Sequence, residues 1–350
     1  MKIRYILFFD NAYKQFLCSE LMGFLFDKIA GKNVLITGGA GFLGANLAKR
    51  LVELKSNVTI FTRVGKDKSN LSGFEDRLKF IDGSLTNESD VSEAIRGKDY
   101  IFHFAWQTDL KKSMLNPRED LIADVLGLLN LVETCKKINP EVKIIFASTT
   151  TVIGLPLKIP TGENHPELPL SIYDTNKLLA EKYLQMYFRS GFKSCTLRVS
   201  NIFGEGQTTT NPNRGVLNFM VGRALRGEKL TVFGSGEFIR DYCYVQNYVD
   251  AFILAALSEE TNGQSYVLGS GEGRTMNEVV EKIKKIVEAM AGKQVVIERT
   301  PFPEGEHDIN KRNFVADFSK FKNATGWFPK ISFDEGLEKT IGFYVGRMNI

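Results

Sequence analysis

The chain has 350 residues, of which 43% are hydrophobic and 25% are charged, values typical of a folded globular protein. Its 45 basic and 41 acidic residues leave a formal net charge of only +4, and no dense block of Lys or Arg occurs. The composition therefore excludes a disordered chain and gives no indication of nucleic-acid binding. The length fits one large α/β unit or two closely joined domains.

The cysteines and histidines give no sign of a disulfide framework or a metal centre. Four cysteines are scattered along the chain without a Cys-x-x-Cys pair: Cys18, Cys135, Cys195 and Cys243. This spacing argues against disulfides and a zinc site, and it is typical of proteins in a reducing cytoplasm. The three histidines are too few and too dispersed for a His-based metal site. We predict a cytoplasmic protein without a bound metal.

The first 30 residues are apolar in patches, but charged residues such as Asp10, Lys14 and Glu20 interrupt them. No apolar run approaches the roughly 20 residues that a membrane-spanning helix needs. We predict a helical extension over residues 1–30 that packs on the body of the protein or on a second subunit, in preference to peripheral membrane attachment. No integral membrane segment is predicted.

After this extension, short β-branched runs alternate with longer amphipathic stretches. The runs predict strands at 33–37, 57–62, 78–81, 100–105, 143–148 and 194–199. Helices are predicted after the first strand, at roughly 117–138 and from Tyr173. This alternation indicates an α/β fold with a doubly wound parallel sheet. The less regular later segments predict a smaller C-terminal lobe, with strands near 230–233, 265–268 and 294–298.

The segment TGGAGFLG (37–44) lies between the first predicted strand and its helix, with Gly38, Gly41 and Gly44 in Gly-x-x-Gly-x-x-Gly spacing. Gly38 permits a tight turn, Gly41 lets the backbone approach a pyrophosphate, and Gly44 lets the helix pack against the strand. The helix N-terminus offers unpaired N–H groups and a positive dipole end to phosphates. This context predicts a dinucleotide-binding loop in preference to an ordinary turn.

The end of the second predicted strand bears on the choice of dinucleotide. Thr62 and Arg63 lie 24 and 25 residues after Gly38. An acidic residue there would bind the adenosine ribose of NAD, whereas a basic one suits the 2′-phosphate of NADP. No acid is present, and Lys66 and Lys68 follow Arg63. We predict NAD(P) as cofactor, with Arg63 favouring NADP(H); the alternative is a solvated basic loop.

Tyr173 and Lys177, in SIYDTNK (171–177), are four residues apart and would lie on one face of a helix. A free tyrosine has a pKa of about 10 and is a poor base at neutral pH, but a neighbouring ammonium stabilises the phenolate. The pair could therefore exchange a proton with an alcohol oxygen. Because Tyr-x-x-x-Lys also arises by chance on helix surfaces, its interpretation depends on the other motifs.

These motifs, with others in the same order, resemble the extended short-chain dehydrogenase/reductase family, in particular its nucleotide-sugar epimerase and dehydratase group. The resemblance runs from about residue 32 to about residue 345. Besides the glycine loop and YDTNK, the matching segments are DYIFHFAWQ (99–107), FASTTTVIG (146–154), LRVSNIFGEGQ (197–207) and VFGSGEFIRDYCYV (232–245). The resemblance implies a Rossmann-type doubly wound sheet with a smaller C-terminal substrate-binding lobe. It also implies bound NAD(P), a nucleotide-diphosphate sugar as substrate, and a homodimer.

The resemblance also assigns roles to individual residues. The catalytic positions are Tyr173, Lys177 and Thr149, with Thr149 sharing a hydrogen bond with the reacting oxygen. The cofactor positions are Gly38, Gly41, Phe42, Leu43, Gly44, Arg63, Ser84, Leu85, Phe104, Ala105, Trp106, Tyr173 and Lys177. The substrate positions are Thr149, Asn201, Val216, Arg240 and Arg312. The expected division is an extension (1–30), a dinucleotide-binding domain (31–201, joined by parts of 239–263) and a mainly substrate-binding lobe (202–350).

Several positions depart from the family pattern without removing a catalytic group. Ser84 stands where Asp is frequent after the third strand, and Asp124 occupies a common Asn position. Ile153 replaces the Tyr of the family's VYG, and Gln246-Asn247 replaces an acidic pair.

The resemblance limits the reactions that this chain is expected to catalyse. Related 4,6-dehydratases carry Asp-Glu directly after the catalytic Thr, whereas Thr150 and Thr151 follow Thr149 here, which disfavours dehydration. We predict hydride transfer at one sugar carbon, expected to be C4. The TTTVIG segment favours an epimerase, while Arg63 favours an NADPH-dependent 4-keto-sugar reductase; we prefer the epimerase. More distant alternatives are a reductase of a non-sugar carbonyl and a non-catalytic dinucleotide-sensing protein.

Overall fold

The computed structural model describes residues 25–305 and 308–348. The predicted N-terminal extension lies mostly outside the described residues, which begin with a short helical turn that ends at the buried Ile29. Among the helices that are described, none is both long and apolar enough to cross a bilayer.

A parallel sheet forms the centre of the described chain. Its seven strands are β1 (Asn33–Thr37), β2 (Asn57–Thr62), β3 (Leu78–Asp82), β4 (Tyr100–His103), β5 (Lys143–Thr149), β6 (Ser194–Val199) and β10 (Gln264–Leu268). They are hydrogen-bonded in the order β10-β6-β5-β4-β1-β2-β3, all in parallel. Every residue of β5 is buried, as expected for a strand whose sheet is covered on both faces.

Helices pack on both faces of this sheet and, further along the chain, beside the smaller sheets. In chain order they are α1 (Phe42–Glu53), α2 (Glu88–Ile95), α3 (Leu110–Leu115), α4 (Pro117–Asp120), α5 (Gly127–Ile138), α6 (Ile172–Arg189), α7 (Val216–Leu225), α8 (Val245–Leu257), α9 (Met276–Ala291), α10 (Ser319–Thr325) and α11 (Phe333–Met348). Alternate residues of β1 point to opposite faces. Val34 and Ile36 therefore join a core with α1 and α8, whereas Leu35 joins a second core with α2, α5 and α6.

The C-terminal part of the chain adds two small sheets and several helices. The remaining strands are β7 (Asn201–Phe203), β8 (Leu230–Phe233), β9 (Ile239–Tyr244), β11 (Gly273–Thr275) and β12 (Ile297–Thr300). Strands β11, β9 and β7 form one sheet, and β12 pairs with β8 in the other. Helices α7, α9 and α11 pack together beside these sheets.

The predicted Rossmann-type doubly wound sheet is confirmed, with local differences. Strand β4 ends at His103 instead of residue 105, because the chain then turns so that the Ala105 N–H donates to Thr37 Oγ1. The last strand covers 297–300 instead of 294–298, because Val295 packs into the core before pairing with β8 begins. The helix predicted at 117–138 contains a π-helical turn at Leu121–Leu126. The division at residues 201 and 202 stays a prediction.

Candidate active site

The glycine loop is packed closely on the end of β4. Gly38 has a φ of +70°, and a Cβ atom on it would lie 2.7 Å from the Ala105 nitrogen. A Cβ on Gly44 would lie 2.6 Å from the Gly38 oxygen. No side chain of the described residues caps α1, which begins at Phe42, so its first N–H groups are available to a ligand. These features fit a dinucleotide pyrophosphate at this loop.

The loop lies where the strand order reverses, since β1 is flanked by β2 and β4. Ligands of doubly wound folds bind beyond the carboxyl ends of the strands at such a point. Thr37 and His103 end the two neighbouring strands and are joined by a 2.8 Å hydrogen bond. Burial, aided by the charge of Lys177, lowers the pKa of His103 to about 3, so this imidazole is neutral and does not serve as an acid.

Helix α6 carries Tyr173 and Lys177 to the ends of β4 and β5. The helix is capped by Ser171, whose Oγ accepts the Asp174 N–H at 3.1 Å. The buried Lys177 ammonium donates to the Ala147 carbonyl at 2.6 Å and lies 6.0 Å from the centre of the Tyr173 ring. The predicted pair is therefore brought together on one face of the helix.

Aromatic rings surround this ammonium. Lys177 Nζ lies 4.0 Å from the ring centre of Trp106 and 4.6 Å from that of Phe146. The Trp106 ring is half-buried, and its indole nitrogen is buried without a hydrogen-bond partner in the described chain. The predicted cofactor residues Phe104 and Ala105 precede it and contact the glycine loop. An indole donor thus lies next to Lys177, where a ligand could accept its hydrogen bond.

Burial and nearby acids set the ionisation of the pair. Burial raises the pKa of Tyr173, and the negative charges of Asp174, Asp124 and Asp120 raise it further. Burial lowers the pKa of Lys177, while Asp124, Glu181 and Asp120 act in the opposite direction. The protein alone therefore holds Tyr173 as a phenol, and a positive charge brought close to the ring would favour its phenolate.

Thr149 is linked to the same helix through a chain of hydroxyl groups. Its Oγ1 accepts the Thr151 N–H at 3.1 Å and lies 2.8 Å from Thr151 Oγ1. The Thr151 hydroxyl in turn donates to Asp174, whose other oxygen accepts from Ser171 at 2.7 Å. The sequence analysis gave Thr151 and Asp174 no role. Their positions in the sequence could have indicated a role, since Asp174 follows Tyr173 directly and Thr151 lies two residues after Thr149.

A buried ion pair fixes α6 to the sheet below these residues. Arg198 in β6 donates to Glu181 in α6, with Nη2 and Oε2 2.6 Å apart and both side chains almost fully buried. The Ser148 hydroxyl, one residue before Thr149, also donates to Glu181. Sequence reasoning missed this network because it joins three separate segments of the chain.

Two arginines lie side by side at the predicted substrate positions. Arg240 in β9 donates to the backbone carbonyls of Arg312 and Ile239. Arg312 is 6% exposed; its Nη2 donates to Thr150 at 3.4 Å, and its Nη1 has no partner among the described residues. Burial, with the charge of Arg240 adding, lowers the pKa of Arg312 to about 9. A buried guanidinium beside a half-buried one makes a positively charged site that a bound anion would stabilise.

The other predicted substrate residues lie around these arginines or at a helix start. The Asn201 amide donates to the Asp241 carbonyl at 3.1 Å, which ties it to β9. The Asp241 carboxylate accepts from Ser270, Gly271 and Ala316, so it does not take Arg240 as its partner. Val216 is 46% exposed at the first position of α7.

The edge expected to bind adenosine carries mixed charges. Arg63 is exposed beyond the end of β2. Asp82, which pairs with Thr62 in register, is in a 3.1 Å salt bridge with Lys68. The exposed Ser84 bonds Thr86, and the half-buried Leu85 packs against the core that contains α2. Arg63 and Lys66 are therefore exposed basic groups at the strand end, while Lys68 is already paired.

The described residues contain no group of three or more His, Cys, Asp or Glu side chains placed to hold a metal ion. The cysteines among them, Cys135, Cys195 and Cys243, are buried free thiols.

Comparison with known proteins places this site in context. The model of the NAD dependent epimerase/dehydratase family matches residues 34–269. The structure of UDP-glucose 4-epimerase from Thermotoga maritima with UDP-glucose is 31% identical, with a TM-score of 0.81, and the match covers 90% of this chain and 99% of that one. UDP-glucose 4-epimerase of Thermus thermophilus with NAD is 30% identical, with a TM-score of 0.78 and coverage of 90% and 99%. The UDP-N-acetyl-alpha-D-glucosaminuronate decarboxylase of Bacillus cytotoxicus is 30% identical, with coverage of 89% and 98%.

Proposed function

Because the chain belongs to the NAD-dependent epimerase/dehydratase family, we propose that it is a nucleotide-sugar 4-epimerase. The observation that carries this proposal is the placement of Tyr173 and Lys177 on one face of α6, at the strand ends beside the glycine loop. Thr149 completes the proposed catalytic set, since its hydroxyl is tied through Thr151 to the same helix.

Each residue has a defined part in the proposed reaction. In its phenolate form Tyr173 takes the proton of the sugar C4 hydroxyl and becomes a neutral phenol, and the Lys177 ammonium stabilises that phenolate before the transfer. Thr149 shares a hydrogen bond with the same oxygen and keeps it near Tyr173. When bound, NAD(P) supplies a hydride acceptor and donor together with a positive nicotinamide ring. The glycine loop, Phe42, Leu43 and Trp106 would hold it.

The hydroxyls that follow Thr149 favour epimerisation over dehydration. The Thr150 hydroxyl is bonded to Arg312, and the Thr151 hydroxyl is bonded to Asp174. Neither side chain is an acid or base that could remove a proton from C5. The two solved epimerases named above support the same reaction. The decarboxylase relative identifies a further substrate to test, because oxidation at C4 of a uronic acid gives a β-keto acid that loses CO₂.

The substrate diphosphate is proposed to bind Arg240 and Arg312, with Asn201 beside them. Nη1 of Arg312 has no hydrogen-bond partner in the part of the chain that the structure describes, and this supports the proposal, since a buried guanidinium nitrogen needs an acceptor. Phe233 and Phe302 lie stacked at the ends of β8 and β12, 6.2 Å between ring centres, and Phe233 is 44% exposed. This pair offers a face on which the base of the nucleotide could stack.

An NADPH-dependent 4-keto-sugar reductase is the second candidate, and the exposed Arg63 favours it. A 2′-phosphate could pair with this guanidinium, and the one carboxylate in register with the end of β2 is held by Lys68. Epimerases return the hydride to their own keto intermediate, whereas a reductase consumes reductant with every turnover. The two candidates therefore differ in stoichiometry.

Arg63→Ala is expected to raise the Kd of NADP⁺ by about 10-fold or more, because a charge-assisted contact contributes about 1.5–3 kcal/mol. The Kd of NAD⁺ should stay unchanged. Arg77→Ala is the matched control, since Arg77 is exposed on the following segment and stacks 4.6 Å from the Phe74 ring centre. Fluorescence titration with both dinucleotides measures the effect, and equal affinities in wild type and variant would mean that Arg63 is only a solvated loop residue.

A panel of nucleotide sugars, 4-keto sugars and nucleotide uronic acids, each with and without NADPH, tests the proposed function. Conversion of a sugar to its C4 epimer without added reductant is the result we expect. Stoichiometric loss of NADPH would assign a reductase, and release of CO₂ from a uronic acid would assign a decarboxylase. Absence of any turnover with Tyr173, Lys177 and Thr149 intact would contradict all three activities: epimerase, reductase and decarboxylase.

We also propose a homodimer formed through the π-helical turn and α6. These elements pack together and expose large apolar side chains, each 36–56% exposed: Leu121, Ile122, Leu126, Leu179, Tyr183 and Met186. An exposed apolar face of this kind marks a protein interface, and a self-complementary pair of helices suits two-fold symmetry.

The double variant Ile122→Asp, Met186→Asp is expected to convert the dimer to a monomer, because it places two charges per subunit in the apolar contact. Sedimentation velocity measures the outcome. Leu157→Asp is the control, since Leu157 is 80% exposed on a loop outside these helices and should leave the dimer intact. A dimer that survives the double variant would place the interface elsewhere.

A further inference from the structure

A buried carboxylate that the proposed catalytic set does not use lies close to it. Asp124 is 4% exposed and belongs to the π-helical turn at Leu121–Leu126. Such turns occur often at functional sites. Both of its oxygens accept the same Gln107 N–H, at 3.0 and 3.2 Å. One backbone N–H compensates a buried negative charge poorly, and burial raises the pKa of Asp124 to about 7. A nearby positive charge is therefore needed to keep this carboxyl group ionised at neutral pH.

Lys177 is placed to do this, because its Nζ lies 4.0 Å from the ring centre of Trp106, the next residue, Gln107, binds Asp124, and the π-helical turn packs on α6. Of the charged residues near Asp124, Lys177 does most to lower the pKa of this carboxyl group. Of the acids near Lys177, Asp124 does most to raise the pKa of the ammonium. The other acid facing Lys177 from its own helix, Glu181, is already neutralised by Arg198 at 2.6 Å. Among the described residues, Lys177 itself has one carbonyl acceptor and the faces of aromatic rings. Asp124 and Lys177 therefore depend on each other's charge.

Asp120 lies on the turn before Asp124 but has different partners. One of its oxygens accepts the Gln107 side-chain amide at 3.1 Å, and the other accepts the Asn176 amide at 3.0 Å. Both oxygens are thus compensated by neutral donors. Asp120 is therefore a matched comparison for Asp124, since it is also an aspartate, is buried to a similar extent and lies four residues away.

We propose that Asp124 is a positioning residue whose negative charge keeps Lys177 protonated in the buried site, so that the ammonium can stabilise the Tyr173 phenolate. This inference rests on the proposed function. Lys177 keeps its proton while the proton of the sugar hydroxyl moves to Tyr173, and the ionised form of Asp124 supplies the charge that favours this ammonium. An Asn at this position would keep the hydrogen bond from Gln107 but would supply no charge.

Other charged and titratable groups also face this pair. Around Lys177 and Asp124 they are Tyr173, His103, Glu181, Asp120 and Arg63. His103 is neutral, Glu181 is paired with Arg198, and Arg63 is exposed. Burial moves the pKa of Lys177 down to about 7 and that of Asp124 up to about 7, so these two groups can change ionisation in the working pH range.

The sign of the expected pH effect follows from these charges. The Asp124 charge raises the pKa of both Lys177 and Tyr173. Removing it lowers both values, so the bell-shaped profile of kcat/KM should move to lower pH. The alkaline limb, where Lys177 loses its proton, should move most, by about one pH unit. A purely structural role would lower activity at every pH and leave both limbs in place.

Asp124→Asn and Asp120→Asn test the proposal side by side, with kcat/KM measured across pH. We expect the alkaline limb of Asp124→Asn to shift to lower pH and that of Asp120→Asn to shift less. An alkaline limb that stays in place in Asp124→Asn, or that moves equally in both variants, would overturn the proposal. Circular dichroism verifies folding, and Asp124→Ser provides a second neutral variant should Asp124→Asn not fold.

A direct titration separates this inference from the proposed function. In protein labelled with ¹⁵N at lysine side chains, the Lys177 signal is assigned with Lys177→Arg and followed against pH without any sugar. A lower Lys177 pKa in Asp124→Asn supports the charge coupling even where no nucleotide sugar is turned over. An unchanged Lys177 pKa overturns it, whatever reaction the enzyme performs.

Discussion

Replacing Tyr173 with Phe is expected to lower kcat by about 10²–10⁴-fold, the usual contribution of a positioned acid–base group. The phenol oxygen is the proposed proton acceptor, and Phe keeps the ring that packs beside Lys177. Because the hydroxyl takes no part in the glycine loop, dinucleotide affinity should be unchanged. Steady-state turnover of the substrate found in the panel, together with fluorescence titration of the dinucleotide, measures both quantities.

Tyr183→Phe is the matched control for this variant. Tyr183 lies on the same helix, is 36% exposed and belongs to the proposed dimer face. The same loss of a hydroxyl should leave its kcat near that of the wild type. Turnover by Tyr173→Phe close to the wild-type rate would remove Tyr173 from the chemistry. Loss of dinucleotide binding would instead point to the cofactor-binding role that the resemblance gives Tyr173.

Replacing Arg312 with Gln is expected to raise KM for the nucleotide sugar by about 10–100-fold, the effect of losing a charged hydrogen bond worth about 1.5–3 kcal/mol. Gln keeps a hydrogen-bonding side chain at this position, but it brings no charge to the diphosphate. The lowered pKa of Arg312 means that folding disfavours its charged form. Removing this charge should therefore raise the Tm of the ligand-free protein.

The two measurements together distinguish a binding residue from a structural one. A structural arginine would lower Tm when replaced, whereas Arg312→Gln is expected to weaken substrate binding and raise Tm. Arg299→Gln serves as the control, since Arg299 lies in the same lobe on β12 and bonds Asn277 at the surface. An unchanged KM in Arg312→Gln would show that the diphosphate does not meet this guanidinium.

The features predicted from sequence are those fixed by local spacing. The glycine loop needs three small residues between a strand and a helix, and all of them lie within seven positions of the chain. Tyr173 and Lys177 share a helix face because they are four residues apart, which α-helical geometry alone determines. Buried β-branched runs likewise predicted the parallel strands, because covered sheets need apolar side chains on both faces.

Contacts between distant segments could not be predicted in this way. The Arg312 side chain reaches Thr150 across 162 positions of sequence, and the Arg198–Glu181–Ser148 network joins two strands and a helix. Asp124 appeared in the sequence only as a replacement for Asn. Its closeness to Lys177 depends on a π-helical turn, which hydrophobic periodicity does not indicate.

The central claim is that hydride leaves one sugar carbon and returns to it within a single active site. Its most direct test uses the nucleotide sugar identified in the panel, carrying deuterium at C4, with unlabelled dinucleotide and no added reductant. Mass spectrometry and NMR then locate the label in the product. We predict an epimer that keeps its deuterium at C4. Deuterium found in the dinucleotide pool or the solvent, with the product unlabelled at C4, would contradict the claim.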